Sequence, residues 1–131
     1  MKKIIKSNDE WQKLLPEDVF KITRKKATEP PFTGKYNKFY EDGIYKCSNC
    51  GNILFKSDTK FDSDSGWPSF WEKASHDSVE FSDDDSMGTM RTEIICKKCG
   101  AHLGHIFNDG PNPSGLRYCV NSTALDFANY Y

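Results

Sequence analysis

Cys119 lies in the stretch "SGLRYCVNST", residues 114–123, away from the other four cysteines of the chain. Successive side chains of a β-strand point to opposite faces, so a strand here would place Arg117, Cys119 and Asn121 on one face. A nearby cation lowers the pKa of a thiol, and the thiolate is the nucleophilic form. Alternatively, Cys119 is a small buried hydrophobic residue, as most free cysteines are. The polar neighbours on its face favour a reactive thiol.

The other cysteines form two CxxCG units, "CSNCG" at 47–51 and "CKKCG" at 96–100. The glycine after each pair permits the positive φ that such a tight turn often needs. Two units supply four thiolates, enough for a closed, structural zinc site of tetrahedral geometry. The predicted zinc ligands are Cys47, Cys50, Cys96 and Cys99.

Three other interpretations compete for these pairs. A thioredoxin-like redox CxxC requires a βαβ context, which neither pair has. Two separate disulfides do not suit a reducing compartment. A local metal site built from Cys96, Cys99, His102 and His105 would leave the first pair without a role. We therefore predict the four-cysteine zinc site.

The segment "AHLGHIFNDGP" carries His102 and His105, with Asp109 four residues further on. An aspartate can orient a histidine and fix its tautomer, so this segment is a candidate for acid–base chemistry. One histidine could equally be a structural residue held by hydrogen bonds. In "DSGWPSFW", Trp67 precedes a proline and lies on a restricted turn, where it could wall an apolar site or anchor the core.

Helical elements are predicted at the start of the chain. Ser7 and Glu10 form a capping box before one helix, and Pro16 suits the first turn of a second. The prolines of "TEPPFTGKY" end the helical part. Residues 1–30 are therefore predicted to be a helical arm that packs Trp11, Leu14 and Phe20 on the main domain.

The remainder reads as mainly β, because short apolar segments alternate with turn residues. The polar stretch "SDDDSMG" is interpreted as a solvated hairpin loop between two strands. The predicted strand segments are "GIYKC", "NILFKS", "VEFS", "MRTEIIC" and "LRYCVNSTALDF".

Bulk properties argue against several classes of function. The chain has 131 residues, a length that favours a single domain spanning residues 1–131. Its formal net charge of -1 offers no electrostatic basis for binding nucleic acid. No apolar run is long enough to span a membrane, and the first residues lack a secretory apolar segment. We expect a cytoplasmic protein.

The motifs "TEPPFTGKY", "CSNC", "KFDSDSGWPSF", "CKKCGAHLGHIFNDGP" and "GLRYCVNS" occur in the order seen in methionine sulfoxide reductase B, and the chain resembles that family over nearly its whole length. The resemblance implies a mainly β fold of two antiparallel sheets, β-tent-like, with short N-terminal helices and a four-cysteine zinc site. It implies reduction of the R epimer of methionine sulfoxide, chiefly in oxidised proteins.

The resemblance also assigns roles to residues. Cys119 matches the nucleophile that attacks the sulfoxide sulfur and becomes a sulfenic acid. His105, supported by Asp109 and Asn121, is expected to stabilise or protonate the sulfoxide oxygen. The other matched residues are Arg117 and His102 in the polar cluster, Trp67 as the ring that receives the substrate methyl group, and Phe107 as a second apolar wall.

This sequence departs from the family at Ser65, where many members carry a second, resolving cysteine. Serine cannot form the disulfide that discharges a sulfenic acid. We therefore expect a one-cysteine enzyme, with Cys119 reduced by thioredoxin or a small thiol. We also expect the protein to be a monomer. The alternative function is a non-catalytic, zinc-stabilised binding module, which would leave the arrangement around Cys119 without an explanation.

Overall fold

The computed structural model describes residues 2–85 and 88–130. Within them lie two short α-helices, nine β-strands and two single turns of 3₁₀ helix, at Ser57–Thr59 and Ser122–Ala124. The helices are α1 (Asn8–Leu14) and α2 (Glu17–Lys25). The strands are β1 (Gly43–Cys47), β2 (Ile53–Lys56), β3 (Lys60–Phe61), β4 (Ser69–Phe70), β5 (Val79–Asp84), β6 (Arg91–Cys96), β7 (His102–Phe107), β8 (Arg117–Val120) and β9 (Leu125–Asn129).

The strands form two antiparallel sheets. The smaller sheet has the order β2-β1-β9, and the larger has the order β3-β4-β8-β7-β6-β5. The predicted mainly β fold with two antiparallel sheets and two short helices is therefore confirmed. The placement of β8 between β4 and β7 matters for function, because it puts Cys119 opposite Ser69 on one side and His105 on the other.

Aromatic side chains join the two sheets into one core. Phe55 of the small sheet stacks on Phe70 of the large sheet at a ring-centroid distance of 4.3 Å. Tyr45 contacts Phe70 edge-on at 5.0 Å, and Phe55 contacts Tyr118 at 5.6 Å. Pairs in these geometries contribute about 0.5–1.5 kcal/mol each beyond the burial of their area. The core therefore fixes the inner face of β8, next to Cys119.

The N-terminal arm forms two helices, as its caps predict. The Ser7 hydroxyl accepts from the Glu10 amide, and the Glu10 carboxylate accepts from the Ser7 amide, each at 3.2 Å. Trp11 and Phe20 are buried in the core as expected. Leu14, in the last turn of α1, is 63% exposed, so the expectation that it packs on the main domain is wrong.

Two of the sequence-based assignments need correction. The segment "HLGHIF" forms the long strand β7, although it was not among the predicted strands. In "SDDDSMG", strand β5 continues through Asp84, whose side chain is buried, so the first part of this stretch is not a solvated loop. Ser86 and Met87 of the same prediction lie outside the described residues.

Neither α1 nor α2 has the length and apolar character of a membrane-spanning helix, and this holds for all helices of the described residues.

Candidate active site and metal centre

The Cys119 side chain lines a cavity of about 200 Å³ on the outer face of the large sheet. The residues that line it combine apolar rings, cations and hydrogen-bonding groups. They are Thr28, Ser65, Trp67, Arg91, Gly104, His105, Phe107, Arg117, Cys119, Val120 and Asn121. Six of the eight residues predicted for catalysis or substrate binding meet here. His102 and Asp109 do not line the cavity.

Strand β8 presents its residues in the predicted alternation. Arg117 and Cys119 are half-buried, whereas Tyr118 and Val120 are fully buried in the core. The strand ends at Val120, and Asn121 is the residue that begins the following 3₁₀ turn. The outward side of β8 is therefore a short polar strip with a thiol in its middle.

Gly104 allows β7 to approach β8 closely beneath the thiol. A Cβ atom at this position would lie 1.9 Å from the carbonyl oxygen of Cys119, so no larger residue fits without displacing the strand. This contact sets the position of Cys119 relative to His105, its partner across the strands. The glycine of "HLGHIF" is thus a positional requirement of the site.

The Cys119 thiol is less acidic than the sequence pattern indicates. Burial raises its pKa above the ordinary value, while Arg117 and the Ser65 hydroxyl act in the opposite direction. The expectation that the adjacent cation gives a net lowering is therefore wrong, because desolvation of the thiolate outweighs the attraction. The thiol is therefore protonated in the resting site, and Arg117 and Ser65 are the two neighbours that favour its thiolate form.

Asp109 pairs with Arg117 rather than with a histidine. Arg117 Nε donates to Asp109 Oδ1 at 2.8 Å, and a terminal nitrogen donates to Oδ2 at 3.2 Å. This bidentate pair holds the guanidinium 4.4 Å above the Phe107 ring. The prediction that Asp109 supports His105 is thus corrected, since its carboxylate is committed to placing Arg117 and Phe107 on the cavity wall.

His105 has a different carboxylate partner, Asp84. Its Nε2 lies 2.7 Å from Asp84 Oδ2, and both side chains are largely buried. An ionised carboxylate only accepts, so this nitrogen carries the proton and Nδ1 is the nitrogen left for other contacts. Arg91, also on the cavity wall, lies 3.8 Å from the same carboxylate oxygen. Sequence reasoning missed Asp84 because it was assigned to a loop.

A β-bulge explains why the two histidines meet. His102 pairs with Ile95, while Gly104 pairs with Ile94, so β7 has one extra residue at Leu103. The extra residue brings His102 and His105, three positions apart, to the same face, with ring centroids 5.4 Å apart.

His102 forms a second, deeper histidine–carboxylate pair. Its Nδ1 donates to Glu93 at 2.6 Å, and Glu93 also accepts from Lys26 at 3.1 Å. Burial lowers the pKa of His102, against the opposing influence of Glu93. His102 is therefore a neutral, tightly held ring behind His105.

The segment around Glu29 positions the opposite wall of the cavity. The Glu29 carbonyl accepts from the Trp67 indole at 3.0 Å, and its amide donates to Asn121 Oδ1 at 3.2 Å. Asn121 also donates to the Leu103 carbonyl at 3.1 Å, so its amide group is held on both sides rather than directed at His105. The Glu29 carboxylate accepts from the Thr123 amide and hydroxyl, which anchors the segment.

The four remaining cysteines form a compact cluster. All four sulfur atoms lie within 4.8 Å of one another, with 3.7 Å between those of Cys47 and Cys99 and 3.6 Å between those of Cys50 and Cys96. A tetrahedral zinc ion with Zn–S distances near 2.3 Å requires sulfur–sulfur separations of about 3.8 Å. The donor set and spacing fit such an ion. The alternative site built from Cys96, Cys99, His102 and His105 is excluded, because the four cysteines are the metal-binding group found among the described residues.

The two CxxCG turns have the same backbone geometry. Gly51 and Gly100 both have φ of +80°, and each amide donates at 2.8 Å to the carbonyl of the first cysteine of its own turn. Arg24 of α2 joins the turns, since it donates to the Asn49 side chain and to the Cys99 carbonyl. The helical arm is thus attached to both turns of the four-cysteine cluster.

Comparison with known proteins identifies the family. The model described as the SelR domain matches residues 15–129. A "Peptide methionine sulfoxide reductase MsrB" of Bradyrhizobium diazoefficiens is 51% identical over 94% of this chain and 88% of its own. One of Leptospira interrogans is 52% identical over 93% of each chain. The mouse "Methionine-R-sulfoxide reductase B3, mitochondrial" is 51% identical over 95% of this chain and 49% of its own.

The chain therefore belongs to the methionine sulfoxide reductase B family, and the prediction of an enzyme of this class is confirmed.

Proposed function

We propose that this chain reduces the R epimer of methionine sulfoxide in oxidised proteins, with Cys119 as the nucleophile. The observation that carries the proposal is the meeting of a half-buried thiol, a histidine–carboxylate pair and two aromatic walls in one cavity of about 200 Å³. The relatives are named as peptide methionine sulfoxide reductases, and one is named for the R-sulfoxide. Family and cavity therefore support the same reaction.

The cavity matches the two ends of a methylsulfinyl group. Trp67 and Phe107 offer apolar surface for the methyl group, and Trp67 is held by the bond from its indole to Glu29. His105, which lines the same cavity beside Cys119, is the hydrogen-bonding group for the sulfoxide oxygen. Contacts to the methyl group, to the oxygen and to the sulfur that Cys119 attacks together distinguish the two configurations of the chiral sulfur, which supports selectivity for one epimer.

Cys119 then attacks the sulfoxide sulfur while His105 hydrogen-bonds or protonates the oxygen, since the sulfur is a poor electrophile until its oxygen is neutralised. Positioned acid catalysis contributes about 10²–10⁴-fold. Overall, thiol and sulfoxide become sulfenic acid and thioether, so one oxygen moves to Cys119 and no proton is gained or lost.

The surrounding polar residues act through these groups. Asp84 orients His105 and stabilises its cationic form, and His102 packs behind it. Arg117, fixed by Asp109, stabilises the Cys119 thiolate. Asn121 holds the Glu29 segment, which accepts from the Trp67 indole, to β7.

A one-cysteine cycle follows from Ser65. Its hydroxyl oxygen lies 4.0 Å from the Cys119 sulfur, where a resolving thiol would need to be. The other four cysteines belong to the metal cluster. Sulfenic Cys119 is therefore reduced by an external thiol, thioredoxin or a small molecule, which releases water and a disulfide.

A structural zinc ion held by Cys47, Cys50, Cys96 and Cys99 completes the proposal. It would stabilise the fold by joining the turns that follow β1 and β6, to which Arg24 attaches the helical arm. Its binding is worth on the order of 10 kcal/mol in small zinc domains. We further propose that residues 1–131 act as one domain and as a monomer in the cytoplasm.

The test is dithiothreitol-driven reduction of the separated R and S epimers of a blocked methionine sulfoxide, with Cys119→Ser alongside. Turnover of the R epimer alone, absent in the variant, is expected. If neither epimer is turned over by folded, zinc-loaded protein, the reductase proposal fails. A binding module whose affinity survives Cys119→Ser would then be the better account.

A further inference from the structure

Three serine hydroxyls form a continuous chain that ends at the catalytic thiol. Ser69 and Ser63 oxygens lie 2.6 Å apart, and Ser63 and Ser65 oxygens lie 2.7 Å apart. Ser65 Oγ in turn lies 4.0 Å from the Cys119 sulfur. The Ser65 amide donates to the Ser63 hydroxyl at 3.3 Å, and the Trp67 amide donates to the Ser65 hydroxyl at 3.4 Å. The backbone therefore holds the chain in place.

The number of protons limits the serine chain to two orientations. Each hydroxyl has one proton to donate. The Trp67 carbonyl can accept from Ser69 at 3.1 Å or from Ser65 at 3.4 Å. In the orientation that uses the shorter contact, Ser63 donates to Ser69 across the 2.6 Å contact. Ser65 must then donate to Ser63, which leaves only lone pairs on Ser65 toward Cys119. In this orientation Ser65 accepts from the protonated thiol.

The reverse orientation matches the thiolate. If each hydroxyl rotates, Ser69 donates to Ser63, Ser63 donates to Ser65, and Ser65 donates to the negative sulfur. All three contacts of the chain persist, and only the bond from Ser69 to the Trp67 carbonyl is given up. Hydrogen bonds in such chains polarise one another, and bonds to charged acceptors are the stronger ones.

We propose that Ser65, set by Ser63 and Ser69, is a reversible hydrogen-bonding partner of Cys119 that stabilises its thiolate. Ser65 touches the reacting sulfur, whereas Ser63 and Ser69 are positioning residues. The inference rests on the proposed role of Cys119 as nucleophile, but thiolate formation can be measured without turnover. In this proposal, the serine that stands in place of a resolving cysteine has a role of its own, which is to stabilise the Cys119 thiolate.

Other charged groups face the same thiol and must be kept constant in any test. Arg117 lies on the same strand and carries Asp109 with it. His105 faces Cys119 from β7, with Asp84 behind it. Arg91 lines the same cavity. None of these residues hydrogen-bonds to the three serines among the described contacts, so serine variants leave them in place.

The test is iodoacetamide alkylation of zinc-loaded protein over a pH series, with Cys119 quantified by peptide mass spectrometry. The limiting rate at high pH reports access to the sulfur, and the midpoint reports thiolate stability. For Ser65→Ala we expect a midpoint at higher pH and about tenfold slower alkylation at neutral pH, from the loss of one hydrogen bond to a charged acceptor. Ser65→Thr, which keeps the hydroxyl, should alkylate as the unchanged protein does.

Ser63→Ala tests the chain itself, since it leaves Ser65 in place but removes the hydroxyl that orients it. We expect a shift in the same direction and about half as large on the logarithmic scale. Ser82→Ala, at an exposed position on β5, is the matched control and should change nothing. An unchanged midpoint in Ser65→Ala, or equal shifts in Ser65→Ala and Ser65→Thr, would overturn the proposal.

Discussion

Replacing Asp84 with asparagine tests whether the buried carboxylate drives the chemistry of His105. The change keeps the shape of the side chain and removes its negative charge. Asp84 is the hydrogen-bonding partner of His105 Nε2 at 2.7 Å, and both groups are shielded from water. The cationic form of His105, which is needed to give a proton to the sulfoxide oxygen, then loses its adjacent anion.

The size of the effect follows from that contact. A hydrogen bond to a charged group contributes about 1.5–3 kcal/mol, which corresponds to about 10- to 100-fold in rate when the charge develops in the transition state. In the proposed binding mode the substrate is held chiefly by Trp67 and Phe107, which the substitution does not touch. We therefore expect kcat to fall by about 10- to 100-fold with KM nearly unchanged.

The assay is steady-state reduction of a blocked methionine R-sulfoxide with dithiothreitol. Asp83→Asn is the matched control, because Asp83 precedes Asp84 on the same strand but is exposed. Its kcat should stay within about twofold of the unchanged protein. If Asp84→Asn has the kcat of the control, His105 does not act through this carboxylate and the proposed acid is wrong.

Three further predictions concern the cavity wall, the metal and acid stability. Trp67→Ala should raise KM for the R-sulfoxide about fivefold to tenfold with a smaller effect on kcat, because the methyl group loses its apolar contact; an unchanged KM would place the methyl group elsewhere. Stripping the metal with a strong chelator should unfold the chain, followed by circular dichroism, because zinc binding of on the order of 10 kcal/mol matches the whole stability of a domain this size; a chelated chain that keeps its melting temperature would contradict this. Burial lowers the pKa of His102, so the unfolded chain takes up that proton first as the pH falls below about 6.5. The free energy of unfolding, measured with urea, should therefore decline below that pH, and less so in His102→Gln; equal slopes would assign the decline to other groups.

Local patterns were enough to predict the four-cysteine cluster and the thiol strand. A CxxCG turn is determined by five consecutive residues, and both turns have the φ that their glycines permit. The alternation along β8 follows from strand geometry alone, so the outward position of Cys119 could be predicted. The capping box at Ser7 is equally local.

The histidine partners could not be predicted, because they depend on register. The contact between His105 and Asp84 joins β7 to β5 across β6, and no local signal in the sequence specifies that alignment. The bulge at Leu103 also changes which side chains share a face, and periodicity assumes that no residue is extra. Asp109, nearer in sequence, is instead bound to Arg117.

The thiol's pKa could not be predicted for a different reason. Sequence spacing shows that Arg117 lies beside Cys119, but it does not show how much water the strand loses when the cavity walls close around it. Burial is the larger influence and raises the pKa. The sign of such a shift depends on tertiary packing, which becomes visible only in the structure.

The most direct test of the central claim is intact mass spectrometry of zinc-loaded protein after one turnover with the R-sulfoxide and no reductant. The account predicts one added oxygen atom, located on Cys119 as a sulfenic acid and removed by thioredoxin or a small thiol. An intramolecular disulfide, or an oxygen on any other residue, would contradict it.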